Sequence, residues 1–171
     1  MPEPAGEPVP PVEIVGVDDG NREEVLRLEV AEEHLPYVSP VAEMLEGLGE
    51  DPAMECFAIR AADGEVVGFF VLDFDEERVG RYGEGRRPCG LRNYLISTKH
   101  QGRGYGRAAI PAMVSLLRRE HAAASDLFLT VNCRNAAAIS TYLGAGFRDT
   151  GRLYHGGASG PQHVLHLALD R

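Results

Sequence analysis

The spacing of apolar positions changes period several times along the chain, and each change marks an element. Val12 to Val17 is a short apolar-rich run closed by Asp18-Asp19-Gly20, which predicts a strand and a turn. Asn21 suits an N-cap, with Glu24 three residues on as its capping-box partner. Val25, Leu28 and Glu32 then fall on one face, so a helix is predicted over 21–33, broken by Pro36 and Pro40. Val41, Met44, Leu45 and Leu48 recur at i, i+3, i+4 and i+7 and predict a second amphipathic helix running to Gly49. Cys56 to Ala61 and Val66 to Asp73 read as two strands joined by an Asp63-Gly64 hairpin turn. Arg78 to Pro88 reads as loop and Leu91 to Ser97 as a strand. After a glycine-rich stretch, Ile110, Met113, Val114 and Leu117 form the buried stripe of a helix ending near Glu120. Leu127 to Val131 is a strand, and Asn135 to Leu143 a helix stopped by Gly144 and Gly146. Phe147 to Tyr154 and His163 to Leu169 are the last two strands.

The order β-α-α-β-β-β-α-β-α-β-β, without an internal repeat, predicts an α+β fold with a mixed sheet. At 171 residues the chain suits a single domain. That domain is expected over 12–171. Residues 1–11 hold five prolines with Glu3 and Glu7 and are expected to form a disordered tail.

Charge adds an asymmetry. The net charge is -9, but residues 1–85 carry 22 acidic and 5 basic side chains, whereas residues 86–171 carry 12 basic and 4 acidic ones. The second half could therefore hold an anion, while the first would repel a polyanion such as nucleic acid. No apolar run is long enough for a membrane span, and the opening Met1-Pro2-Glu3-Pro4 lacks the basic and apolar segments of a secretion signal. Cys56, Cys89 and Cys133 are odd in number and form no CxxC, which points to a reducing, cytoplasmic setting. The six histidines are scattered. His163 and His166 alone are close, and in a strand they face opposite ways, so no metal site is expected.

The glycine-rich stretch Gln101-Gly102-Arg103-Gly104-Tyr105-Gly106 lies between an apolar strand and a helix. The first N–H groups of a helix have no intrahelical partner, and the helix dipole adds partial positive charge there. Glycines let a phosphate approach the backbone, and Arg103 and Arg107 add full charges. The segment reads either as a pyrophosphate cradle or as a plain glycine turn. It is not a P-loop, because no GK[ST] follows. Nor does the glycine spacing fit a dinucleotide fingerprint.

Gln101-x-x-Gly104-x-Gly106 matches the acetyl-CoA signature Q/R-x-x-G-x-G/A of the GNAT N-acetyltransferases. About 30 residues on, Asn135-x-x-Ala138-x-x-x-Tyr142 followed by Gly146-Phe147 matches that family's second element. The chain thus resembles a GNAT N-acetyltransferase over residues 12–170, most closely bacterial enzymes that acetylate polyamines or other small amines. The resemblance implies a mainly antiparallel mixed sheet flanked by helices, with acetyl-CoA as co-substrate and no metal. Direct attack of an amine on the thioester follows from the same resemblance. It also implies that strands 91–97 and 127–132 splay to admit the pantetheine arm, that backbone at Leu95 and Ile96 binds it, and that the pyrophosphate lies on N–H groups of Arg103 to Arg107. Gln101, Gly102, Arg103, Gly104, Tyr105, Gly106, Arg107, Asn135 and Ala138 are accordingly the expected cofactor-binding residues.

Tyr142 is the expected general acid. A departing thiolate has a conjugate pKa of about 8.5, and a phenol of about 10 can protonate it at modest cost. Its bland alternative is an aromatic core contact. For the general base the sequence departs from many relatives, because no Asp or Glu occurs between Gly85 and Arg119. Asp73 is the foremost candidate, ahead of Asp75, Glu76 and Glu77 in what could be a solvated turn, or a water relay. The acidic half, including Glu43 and Glu46, suggests a small cationic amine as acceptor, with neither nucleic acid nor membrane as a partner and a homodimer left open. The alternatives are a non-catalytic acyl-CoA-binding module and a protein N-terminal acetyltransferase. Pro111, inside the helix after the cradle, is expected to kink it slightly or free the Arg107 carbonyl.

Overall fold

A computed structural model describes residues 8–47 and 50–169. One seven-stranded sheet runs through it in the order β1-β2-β3-β4-β5-β7-β6. The strands are β1 (Val12–Gly16), β2 (Met54–Ala61), β3 (Val66–Asp73), β4 (Pro88–Ile96), β5 (Asp126–Asn132), β6 (Arg148–Tyr154) and β7 (Gln162–Ala168). Every neighbouring pair is antiparallel except β4 and β5. The helices are α1 (Arg22–Leu26), α2 (Val41–Gly47), α3 (Glu76–Gly80), α4 (Tyr105–Glu120) and α5 (Ala136–Gly144), with 3-10 turns at Glu32–Tyr37 and Thr98–His100. Among the described residues, no helix is long and apolar enough to cross a membrane.

Alternation along the strands puts a core on each face. On one face Phe57, Ile59, Phe70 and Leu72 meet the stripe Ile110, Met113, Leu117 of α4, with Tyr142 and Phe147 beside them. On the other, Phe69, Val71 and Leu95 are covered by Val25 of α1 and by Val41 and Leu45 of α2. β3 is buried along its whole length, as a central strand must be.

Two elements depart from the pattern reading. The helix predicted over 21–33 stops at Leu26. Residue 29 instead docks on the end of β4, where its carbonyl accepts the N–H of Thr98 at 2.9 Å and its N–H reaches Ser97 Oγ at 3.2 Å. Tertiary bonds at that point override the weak helical periodicity after Leu28. The predicted loop from Arg78 contains the end of α3, which Asp75 N-caps by accepting the Arg78 N–H at 2.8 Å. α4 runs from Tyr105 to Glu120 through the exposed Pro111, which has no N–H to offer the Arg107 carbonyl. Leu48 and Gly49, the expected end of the second helix, and most of the expected tail lie outside the described residues. Pro10 packs at the cradle, 3.1 Å from where a Cβ on Gly104 would stand.

Two irregularities of β4 prepare the site. Phe69 pairs with Leu95, but Val71 pairs with Arg92, so β4 carries one extra residue in between, with Asn93 at φ +53°. Gly68 lets β3 follow this bulge, because a Cβ there would stand 2.6 Å from the Leu95 carbonyl oxygen. The parallel β4–β5 pairing also ends early, at Gly90 and Phe128. Beyond it the strands diverge, which leaves the β5-facing backbone groups of Leu91–Ile96 without a ladder partner.

Candidate active site

The diverging strands open a slot with a cleft at each mouth. The first cleft, about 380 Å³, is walled by Leu95 and Ile96 of β4, by Gln101, Gly102, Gly104, Tyr105, Gly106 and Arg107 of the cradle, and by Asn135, Ala138 and Tyr142 of α5. The structure thus brings the expected cofactor residues together around one cavity. Arg103 stands outside its wall but is exposed beside it. The second cleft, about 530 Å³, opens between Asp73, Arg78, Arg92 and the ends of β4 and β5. The two share Tyr37, Val38, Tyr94, Asn135, Ala138 and Tyr142, so they meet at the throat of the slot.

The cradle has the geometry an anion needs. Gly102 and Gly104 hold φ of +76° and +86°, which a side chain would resist. Among the described residues the N–H groups of Gly102, Arg103 and Gly104 have no acceptor, and the first-turn amides of α4 have none to the N-terminal side. Arg103 and Arg107 are exposed and make no ion pair among the described residues. Gly106 is less constrained, since a Cβ would meet only ordinary contacts at 3.6 Å and beyond. Gln101 does structural work as well: its amide donates to the Ile96 carbonyl at 3.1 Å and ties the cradle to β4.

The second motif positions the tyrosine. Asn135 N-caps α5 through its side-chain oxygen, which accepts the Ala138 N–H at 3.3 Å. Gly146, at φ +105°, ends the helix and turns Phe147 back so that its N–H bonds the Tyr142 carbonyl. The two rings pack edge to face at 5.7 Å, and Tyr94 packs on Tyr142 from the other side at 5.8 Å. Tyr94 spends its hydroxyl on the Gly106 carbonyl. Tyr142 does not: its ring is buried, while its hydroxyl is open at the throat and has no hydrogen-bond partner among the described residues. Burial raises its pKa well above the usual tyrosine value, so the phenol keeps its proton.

The surroundings of Asp73 oppose proton uptake. The carboxylate is buried, like the whole of β3, and opposes desolvation with a full set of donors. Oδ1 accepts from Arg78 Nη2 at 2.8 Å and the Asp75 N–H at 3.0 Å; Oδ2 accepts from Arg78 Nε at 2.7 Å and Arg92 Nη1 at 3.4 Å. Desolvation alone would raise its pKa, but the Arg78 bonds and charge, with help from Arg92, lower it. An acid held ionised in this way is a poor proton acceptor, which weighs against the base role expected of this residue. The argument for a cationic acceptor also loses its premise. Asp73 is the one acidic side chain lining either cleft among the described residues, while Glu43, Glu46, Glu76 and Glu77 are exposed elsewhere.

Several wall residues carried no sequence signal. Val38 and Tyr37 reach the throat because Ser39 bonds Asn93 twice, N–H to Oδ1 at 2.7 Å and carbonyl from Nδ2 at 3.0 Å. Ser159 of the β6–β7 loop donates to the Pro36 carbonyl at 2.8 Å and closes the far side. Asn93, an asparagine in mid-strand, was the readable hint of a left-handed residue. His100, buried beside the cradle, bonds Glu65 through Nε2 at 3.2 Å. Among the described residues no group of three or more His, Cys, Asp and Glu could hold a metal ion, and the three cysteines are free.

A sequence model of the Acetyltransferase (GNAT) family matches residues 22–147, which include both motifs and the throat. The chain belongs to the GNAT acetyltransferase family. It is 28% identical over 124 residues to a streptothricin acetyltransferase of Streptomyces lavendulae, covering 71% of this chain and 60% of that protein. It is 27% identical over 95 residues to N-acetyltransferase 8B of Rattus norvegicus, covering 51% of this chain and 42% of that one. The chain thus spans less than two thirds of the length of these relatives. Among solved structures, spermidine N-acetyltransferase from Vibrio cholerae, in complex with CoA and spermine, superposes with a TM-score of 0.70 at 17% identity, over 92% of this chain and 95% of that one. An aminoglycoside acetyltransferase in complex with coenzyme A gives 0.72 at 15% identity, over 92% and 95%. These two likenesses establish the fold.

Proposed function

We propose that this GNAT protein transfers the acetyl group of acetyl-CoA to the primary amine of a small molecule. The observation that carries this reading is the unpartnered Tyr142 hydroxyl at the point where the two clefts meet. A hydroxyl free of protein partners where the two clefts meet is placed to donate a proton to a group bound there. Relatives named for streptothricin, spermidine and aminoglycosides support an amine as acceptor.

Acetyl-CoA supplies an activated acyl group with a thiolate leaving group. The cradle amides and Arg103 and Arg107 would hold its pyrophosphate, and the unladdered edge of β4 at Leu95 and Ile96 would bind its pantetheine arm. A backbone N–H on that edge would stabilise negative charge developing on the carbonyl oxygen. The amine enters through the second cleft, gives up its ammonium proton to water, and attacks the carbonyl carbon. A C–N bond forms, the adduct nitrogen releases its second proton to water, the C–S bond breaks, and Tyr142 Oη gives its proton to the departing sulfur. The phenol recovers a proton from solvent.

A thiol-release assay with acetyl-CoA over amino acids, polyamines, aminoglycosides and peptides, with the N-acetyl product confirmed by mass, tests the reading. Release that depends on an amine supports it. Coenzyme A binding without release for any amine refutes it in favour of a binding module.

A further inference from the structure

The second cleft has a charge pattern that the family motifs do not specify. Arg78, Arg81 and Arg92 line it against a single acid, Asp73. These arginines are not equivalent. Arg78 is consumed internally: it pairs with Asp73 at 2.7 Å, Asp51 at 2.9 Å and Asp75 at 3.8 Å. Asp73 is saturated in turn, because its two oxygens already take four donors. An incoming ammonium finds no free carboxylate in this cleft.

Donors are what is left over. Arg92 uses Nη1 alone, on Asp73 at 3.4 Å and the Met54 sulfur at 3.9 Å. Its Nε and Nη2 have no partner among the described residues, and 41% of the side chain is exposed. Arg81 is exposed and makes no ion pair among them. Both side chains line the cleft that reaches Tyr142 at its inner end. A guanidinium offers a planar fork of donors that matches a carboxylate.

Resting on the transferase reading above, we propose that the acceptor is an amine that also carries a carboxylate, bound through that carboxylate by Arg92 with Arg81 beside it. Asp73 is then a positioning residue: it fixes Arg92 through one guanidinium nitrogen and leaves the others for the substrate. The amine lies toward the throat and the carboxylate toward the cleft mouth.

The test compares matched acceptors in the thiol-release assay: amino acids, their carboxamides, their decarboxylated amines, and spermidine. Charge-assisted bonds to one guanidinium give an expected preference of about 10- to 100-fold in kcat/KM for the carboxylated member of each set. Arg92→Gln should collapse that ratio toward one by raising the acceptor KM, with the acetyl-CoA KM unchanged, and Arg92→Lys should restore part of it. Arg81→Gln should lower the ratio less; it does not touch the Asp73 cluster and so serves if Arg92→Gln fails to fold. Equal or better use of the amides, the decarboxylated amines or spermidine overturns the proposal and leaves the transferase reading standing. Absence of thiol release with every amine, while coenzyme A binds, overturns both.

Discussion

Replacing Tyr142 with phenylalanine removes one oxygen and little else. The ring is held edge to face against Phe147 at 5.7 Å and against Tyr94 at 5.8 Å, contacts that phenylalanine keeps. The hydroxyl has no partner among the described residues, so no hydrogen bond within them is lost. Tyr142→Phe should therefore unfold within about 0.5 kcal/mol of the parent in urea. Its effect on turnover is of another size. General acids contribute about 10²–10⁴-fold, and a thiolate of conjugate pKa about 8.5 is a fair leaving group unaided, which points to the lower end. We expect kcat and kcat/KM to fall together by about 100-fold, near 3 kcal/mol, with coenzyme A affinity by calorimetry unchanged. A loss under about tenfold, less than about 1.4 kcal/mol, in a folded variant would refute the general-acid role and return Tyr142 to the core.

Other perturbations read other parts of the site. With the Asp73 pKa lowered by its arginines, so that it does not serve as base, kcat/KM for the acceptor should climb with unit slope in pH and level off near the amine's own pKa, about 8 for an α-amino group and about 10 for an alkylamine. The raised Tyr142 phenol gives no falling limb in this range, and a plateau beginning near pH 4–5 would reveal a carboxylate base after all. Asp73→Ala strips two arginines of their shared partner and should cost about 3 kcal/mol in urea unfolding at pH 7, the low end for a buried pair because both arginines are partly exposed. Since folding lowers the Asp73 pKa, that contribution is present above its unfolded value of about 3.9 and fades as pH falls through the folded value, so parent and variant should converge in stability in strong acid. Gly104→Ala forces a Cβ into a left-handed residue 3.1 Å from Pro10, and should raise the acetyl-CoA KM about tenfold with a smaller change in kcat at saturation.

The cofactor side of this site was legible because it is nearly contiguous. Gln101 to Arg107 and Asn135 to Phe147 are two segments whose local rules, glycine at positive φ, an asparagine N-cap and a glycine stop, are written in neighbouring residues. The sheet strands were legible from short apolar runs bounded by turn residues, which are local signals too. The second cleft is assembled from Tyr37–Val38, Asp73, Arg78, Arg81–Tyr82, Arg92–Tyr94, Asn132 and the Gly156–Ser159 loop. No periodicity links them; they meet because Ser39 bonds Asn93 and Ser159 bonds Pro36. The early end of α1 has the same origin, a docking bond from residue 29 to β4 that no helical pattern carries.

Charge shows most sharply how sequence position and spatial position differ. The N-terminal half is strongly acidic, and as a long-range field that excess would draw cations and repel polyanions. Recognition in a cleft is decided by which atoms still have open valences there. Glu13 and Glu23 sit in exposed pairs with Arg60 and Arg27, Glu65 and Glu55 meet His100 and His121, and Asp51 and Asp75 neutralise Arg78. The one acid that reaches the cleft brings two arginines with it. Each arginine presents five donors and a carboxylate accepts about four, so such a cluster ends with donors in excess even when its formal charges nearly balance. Among the described residues the cleft therefore presents open donors rather than free carboxylates, Arg81 from the acidic half and Arg92 from the basic half, and the proposed carboxylated acceptor rests on that local count around Asp73, not on the count of residues along the sequence.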